Sequence, residues 1–141
     1  MDETITVEKE KRVLADGTEA LLVYEAESDE LNVYFGENRK ATGVQLSDHI
    51  LLRLDRTEGK AVSLSLIDFS LLTRETRYGP PSFRLDGLDD LPDDLRELTL
   101  ELITTPPVSY FLQVGAFYVS LHQPPVPISY IERQMTRPAA A

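Results

Sequence analysis

Apolar and polar residues alternate through most of the first half of the chain, the period-two pattern of strands with one buried face. Residues 4–8, Thr-Ile-Thr-Val-Glu, predict a first strand, and Ala15-Asp16-Gly17 marks a turn. Residues 19–25 predict a second strand, with Leu22 and Tyr24 on one side and Leu21 and Val23 on the other. The polar run 26–30 reads as a turn, and Leu31, Val33 and Phe35 alternate with Asn32 and Tyr34 in a third strand. Further strands are expected over 42–47, 50–54 and 61–67. The loop 55–60 between the last two carries Gly59 for a left-handed position. In 61–67 the alternation assigns Val62, Leu64 and Leu66 to the core and Ser63 and Ser65 to the outside. Short connections make this an antiparallel meander, since parallel strands need long crossovers.

The pattern changes after residue 73. Thr73 to Pro81 reads as a polar linker ending in Gly79-Pro80-Pro81. Residues 90–104 predict the one main helix, with Asp90 as its N-cap and Asp93 and Asp94 at the positive end of its dipole. Leu91, Leu95, Leu98 and Leu102 form one stripe at helical spacing, and Pro106-Pro107 ends it. Residues 109–121 return to strand character with a bend at Gly115, and Ile128 to Ile131 predicts a last edge strand after the prolines 124, 125 and 127. The expected architecture is α+β: an antiparallel meander over 4–67, the 90–104 helix, and a C-terminal strand pair. It is read as a single domain over 1–134, with 74–134 as an extension of the meander and 135–141 as a frayed tail.

Composition narrows the function. The 141 residues carry 24 acidic and 14 basic side chains, a net charge of −10. Binding a phosphate backbone or an anionic membrane relies on clustered Lys and Arg, and here the longest basic runs are pairs, so nucleic acid and membrane are not expected partners. A basic partner is favoured by steering. The chain has no cysteine, which removes disulfides, thiolate zinc sites and a thiol nucleophile. No apolar run approaches a membrane span, and the opening MDETITVEKEKR is charged where a signal peptide is apolar. The expectation is a cytoplasmic protein.

Residues 20–73 resemble a small bacterial family, domain of unknown function 2283. The resemblance is carried by Tyr24, Asp29, Leu31, Val33 and Tyr34, by Leu54-Asp55, Gly59 and Val62, and by Leu66-Ile67-Asp68-Phe69-Ser70. Glu25 departs from the aspartate usual after the tyrosine, and 74–141 has no counterpart. The family has no established activity. In that family some members are encoded beside small RelE-like toxins, so the resemblance implies an antitoxin-like binding role.

Candidate chemistry is sparse. His49, Asp68 and Ser70 supply the residue types of a hydrolytic triad, but no G-x-S-x-G elbow accompanies them. Asp86, Asp89, Asp90, Asp93, Asp94, Glu97 and Glu101 crowd one segment, without the spacing and glycine of a calcium loop. No catalytic residue, cofactor or metal ligand is therefore assigned. Ser109 to Leu121 is thirteen residues without a charge and carries Tyr110, Phe111, Phe117 and Tyr118. These four are the expected contact residues of a non-catalytic protein that binds a second copy of itself, as a homodimer, or another protein. The rivals are an enzyme or metal-dependent site on the 86–101 cluster and a small-ligand carrier.

Overall fold

A computed structural model describes residues 7–37 and 39–132. The beginning of the expected first strand and the expected frayed tail lie outside the described residues. Among the described residues nine strands and two α-helices follow in order: β1 Val7–Val13, β2 Glu19–Glu25, β3 Glu30–Phe35, β4 Thr42–Ser47, β5 Ile50–Asp55, β6 Lys60–Ile67, α1 Phe69–Leu72, β7 Phe83–Arg84, α2 Asp93–Ile103, β8 Gln113–Phe117 and β9 Val126–Tyr130. Two 3-10 segments, Asp86–Asp90 and Val108–Tyr110, flank α2.

The first six strands form one antiparallel sheet in the order β1-β2-β3-β6-β5-β4. It consists of two three-strand meanders, the second laid down from the far edge inward. The link from Phe35 to Thr42 must therefore cross about three strand spacings of ~4.8 Å, within reach of its six residues at ~3.3 Å each. The chain then closes on itself in β6, which pairs with β3 on one side and β5 on the other.

One face of the sheet is the core. Ala20, Leu22, Leu31, Val33, Phe35, Val44, Leu46, Ile50, Leu52, Leu54, Leu64 and Leu66 are buried there. The segment after residue 73 covers that face with Leu85, Leu88, Leu95, Leu102, Ile103, Val108, Phe111 and Ile131, all within the same cluster. Both halves of the chain thus share one core, and each buried leucine contributes roughly 1.5–3 kcal/mol of transfer free energy.

Several details differ from expectation. Ser63 and Ser65 are buried, at 2% and 8% exposure. They sit mid-sheet between Tyr34 and Arg53 and between Asn32 and Leu51, whose longer side chains shade them. Val62 is buried but stands outside the core cluster. The register slips at Arg53/Leu54, so Val62 is the extra residue of a bulge. The α2 N-cap is Pro92, not Asp90, and no side chain caps it. Asp90 is exposed and closes the preceding 3-10 segment instead. Arg96 holds that junction, its guanidinium donating to the carbonyls of Leu88 (3.0 Å) and Leu91 (2.8 Å). The buried stripe of α2 is centred on Leu95, Thr99, Leu102 and Ile103, with Leu91 and Leu98 half-buried at its margin. Only residues 113–117 of the expected 109–121 strand are extended, because 108–110 is a 3-10 turn. β9 is the middle strand of a three-stranded sheet, β7-β9-β8, and not an edge.

Candidate functional site

β8 and β9 form a hairpin arm joined by residues 118–125. Its register places Phe117 opposite Val126, Gly115 opposite Ile128 and Gln113 opposite Tyr130. Val114, half-buried, packs on the core, and Ser129 opposite it is fully buried. Side chains alternate across a strand, so Gln113, Gly115 and Phe117 present the other, outward face. Among the described residues eight large apolar side chains stand exposed, and four of them lie in 117–121: Phe117 and Tyr118 at 51%, Val119 at 73% and Leu121 at 87%. The tip is therefore where unburied apolar surface gathers.

The four expected contact residues do not act together. Phe117 and Tyr118 are at the exposed base of the tip. Phe111 is 1% exposed, with its ring 6.0 Å from that of Phe35, and Tyr110 is half-buried against the same cluster. The 3-10 turn at 108–110 swings this pair inward, so Phe111 belongs to the core and not to a contact surface. Val119 and Leu121 escaped the sequence reading. They lie in the same uncharged run, but weighting aromatics over aliphatics passed them by.

The triad residue types are close but wired differently. His49 Nδ1 lies 3.0 Å from Asp68 Oδ2, out of line for a hydrogen bond. The Ser70 hydroxyl donates to Asp29 Oδ1 at 2.8 Å. A nucleophilic serine must give its proton to the imidazole, and this one is engaged with a carboxylate. Asp29 also accepts from Tyr24 Oη at 2.8 Å and from the Ser70 backbone N–H. Partial burial works to raise the Asp29 carboxyl, but the bonds from Tyr24 and Ser70 outweigh it and hold the group below its ordinary value. Burial, and then the bond to Asp29, push the Tyr24 phenol up. Tyr24, Asp29 and Ser70 thus form a bonded staple between the β2–β3 turn and the start of α1.

The carboxylates of 86–101 are dispersed. Asp89 pairs with Arg84, Asp93 with Arg96 and Asp94 with Arg56. Among the described residues no three His, Cys, Asp or Glu side chains come together as a metal would need. A cleft of about 370 Å³ opens where Phe35, Arg39, Lys60 and Ala61 meet Leu102 and Pro106. It is a surface cleft at the end of the sheet. Among the described residues no helix is long and apolar enough to cross a membrane. No family model, curated protein or solved structure matches this chain.

Proposed function

We propose that this chain is a non-catalytic, cytoplasmic binding protein that docks a protein partner through the β8–β9 arm. One observation carries the reading: the exposed tip Phe117, Tyr118, Val119 and Leu121, set in a stretch without Asp, Glu, Lys or Arg from Leu102 to Ile131. Exposed apolar side chains gathered in one patch mark contact sites, and aromatic anchors dominate the energy of such contacts. The antitoxin-like role implied by the resemblance is one form of this reading. The enzyme reading loses support from the dispersed carboxylates and from Ser70 being held by Asp29.

The test is the native mass of the tagged protein purified from cells, beside a variant carrying Phe117→Asp and Leu121→Asp. The wild type is expected to carry mass beyond one 15.9 kDa chain, and the variant to lose it with unchanged circular dichroism. A wild type always found at single-chain mass, or a variant that keeps the extra mass, refutes docking through the arm.

A further inference from the structure

A sheet edge with free N–H and C=O groups invites another chain, and folded proteins blunt such edges with charge, cover or brevity. Among the described residues three of the four sheet edges carry such a device. β1 presents Glu8, Lys9, Glu10, Lys11 and Arg12 along its length. β4 is covered by the 3-10 segment Asp86–Asp90, so near that a Cβ on Gly87 would overlap the Gln45 carbonyl oxygen. β7 is two residues long. β8, with the sequence QVGAF, is uncharged and exposed from Gly115 onward.

Pro127 reveals which β8 groups stand free. The Leu85 N–H donates to the Pro127 carbonyl at 3.0 Å, so that carbonyl points at β7. The N–H and C=O of one strand residue point the same way, and neighbouring residues point opposite ways. Ala116, opposite Pro127, therefore turns its N–H and C=O away from β9, as does Val114 opposite Ser129. Gly115 lies between them, opposite Ile128, and among the described residues nothing calls for a glycine there. Its backbone is not left-handed, and a Cβ there would meet nothing within 4 Å. Glycine inside a strand weakens it and marks places where another backbone comes close.

We propose that β8 pairs antiparallel with β8 of a second copy of this chain, about a two-fold axis at Gly115, fusing two three-stranded sheets into one. The proposal rests on the arm being a docking surface and names what docks. In this register Val114 faces the partner's Ala116 and the two exchange both N–H···O bonds, which symmetry repeats. The edge is self-complementary under a two-fold, the commonest symmetry of soluble oligomers. Charge selects the same occupant. With no charged side chain between Glu101 and Glu132, two chains of net charge −10 meet where neither brings charge, and a basic partner finds no carboxylate.

The native chain has no cysteine, so one introduced thiol reports only its own neighbours. Gly115→Cys sets two thiols across the axis at the ~4.5 Å Cα separation of a non-hydrogen-bonded pair, within the ~4.4–6.8 Å that a disulfide spans. Under mild oxidation it is expected to form covalent dimer about tenfold faster than Thr57→Cys in the β5–β6 turn, which oxidises only on chance encounter. Ala116→Pro removes an outward N–H and leaves the β8–β9 ladder intact, so it is expected to sediment as a monomer where the wild type is a dimer. Equal oxidation rates, or a wild type that is monomeric at high micromolar concentration, overturn the pairing. If Ala116→Pro stays dimeric and Phe117→Asp does not, edge pairing falls while docking through the arm stands.

Discussion

Asp29 accepts the Ser70 hydroxyl at 2.8 Å and the Ser70 backbone N–H at 3.1 Å, joining residues 41 positions apart. The Asp29 carbonyl also accepts the Phe69 N–H at 2.8 Å. Asp29 and Asp68 both adopt left-handed backbone, with φ of 54° and 59°, a region aspartate tolerates better than most residues. The two bends interlock the β2–β3 turn with the entry to α1, and the Tyr24 ring packs 5.5 Å from that of Phe69 beneath them.

Asp29→Ala is expected to lower stability by about 1–3 kcal/mol, the range for hydrogen bonds to a charged group and the polar groups left unpaired. Asp29→Asn keeps the tolerance for left-handed backbone and should cost less. Urea melts of the three proteins check this. An alanine variant within about 0.5 kcal/mol of wild type, as at an ordinary surface site, would falsify the staple.

The same carboxyl sets a pH dependence. Its folded value lies below its unfolded one, so its contribution is fully present above the unfolded value of ~4 and is lost as pH falls through the folded value. The stability gap between wild type and Asp29→Asn should hold steady at neutral pH and shrink below about pH 4. Tyr24 runs the other way: its raised value makes its contribution full below about pH 10 and lost above the folded value. Tyr24→Phe should remove that alkaline loss; a variant with the same alkaline profile as wild type would show the tyrosine is not its source.

Leu64 is fully buried at the middle of β6, flanked by Val33 and Leu52. Leu64→Ala should cost ~2–5 kcal/mol in a urea melt. A loss below about 0.5 kcal/mol, typical of a surface position, would contradict its placement.

Gly87 lies against the Gln45 carbonyl of β4, where a Cβ meets backbone that cannot swing aside. Gly87→Ala should cost about 1–3 kcal/mol, as overpacking does, and lift the 3-10 segment from the edge. Hydrogen exchange at β4 amides reads the second effect, and protection equal to wild type would count against this cover.

Arg96 and Asp90 separate a true helix start from an apparent one. Arg96 ties the carbonyls of Leu88 and Leu91, so Arg96→Ala should cost about 1–3 kcal/mol. Asp90 is exposed and caps nothing, so Asp90→Ala should stay within about 0.5 kcal/mol. The reverse ranking in thermal melts would restore Asp90 as the cap.

Strand periodicity, turn residues and the leucine stripe determined the elements from sequence alone, because side-chain direction follows local backbone geometry. Five strands of the first sheet, the left-handed Gly59 and the main helix were legible that way, whereas the first strand was expected over 4–8 and β1 runs over Val7–Val13, where the charged run Glu8 to Arg12 shows no apolar alternation. The placement of β4 at the far edge was not, since period-two alternation fixes a strand's face and says nothing of its neighbours. Ser63 and Ser65 read as outward and are outward, yet they are buried, because burial depends on the side chains of adjacent strands. Pro127 read as an interruption, yet it serves in a middle strand that needs only its carbonyl. The uncharged run was visible in sequence. Only the tertiary fold decided that Phe111 goes to the core while Phe117, Val119 and Leu121 stay out, because the 3-10 turn 108–110 sets Phe111 against the core and β8 then runs out of it, half-buried at Gln113 and Val114 and exposed from Gly115 onward.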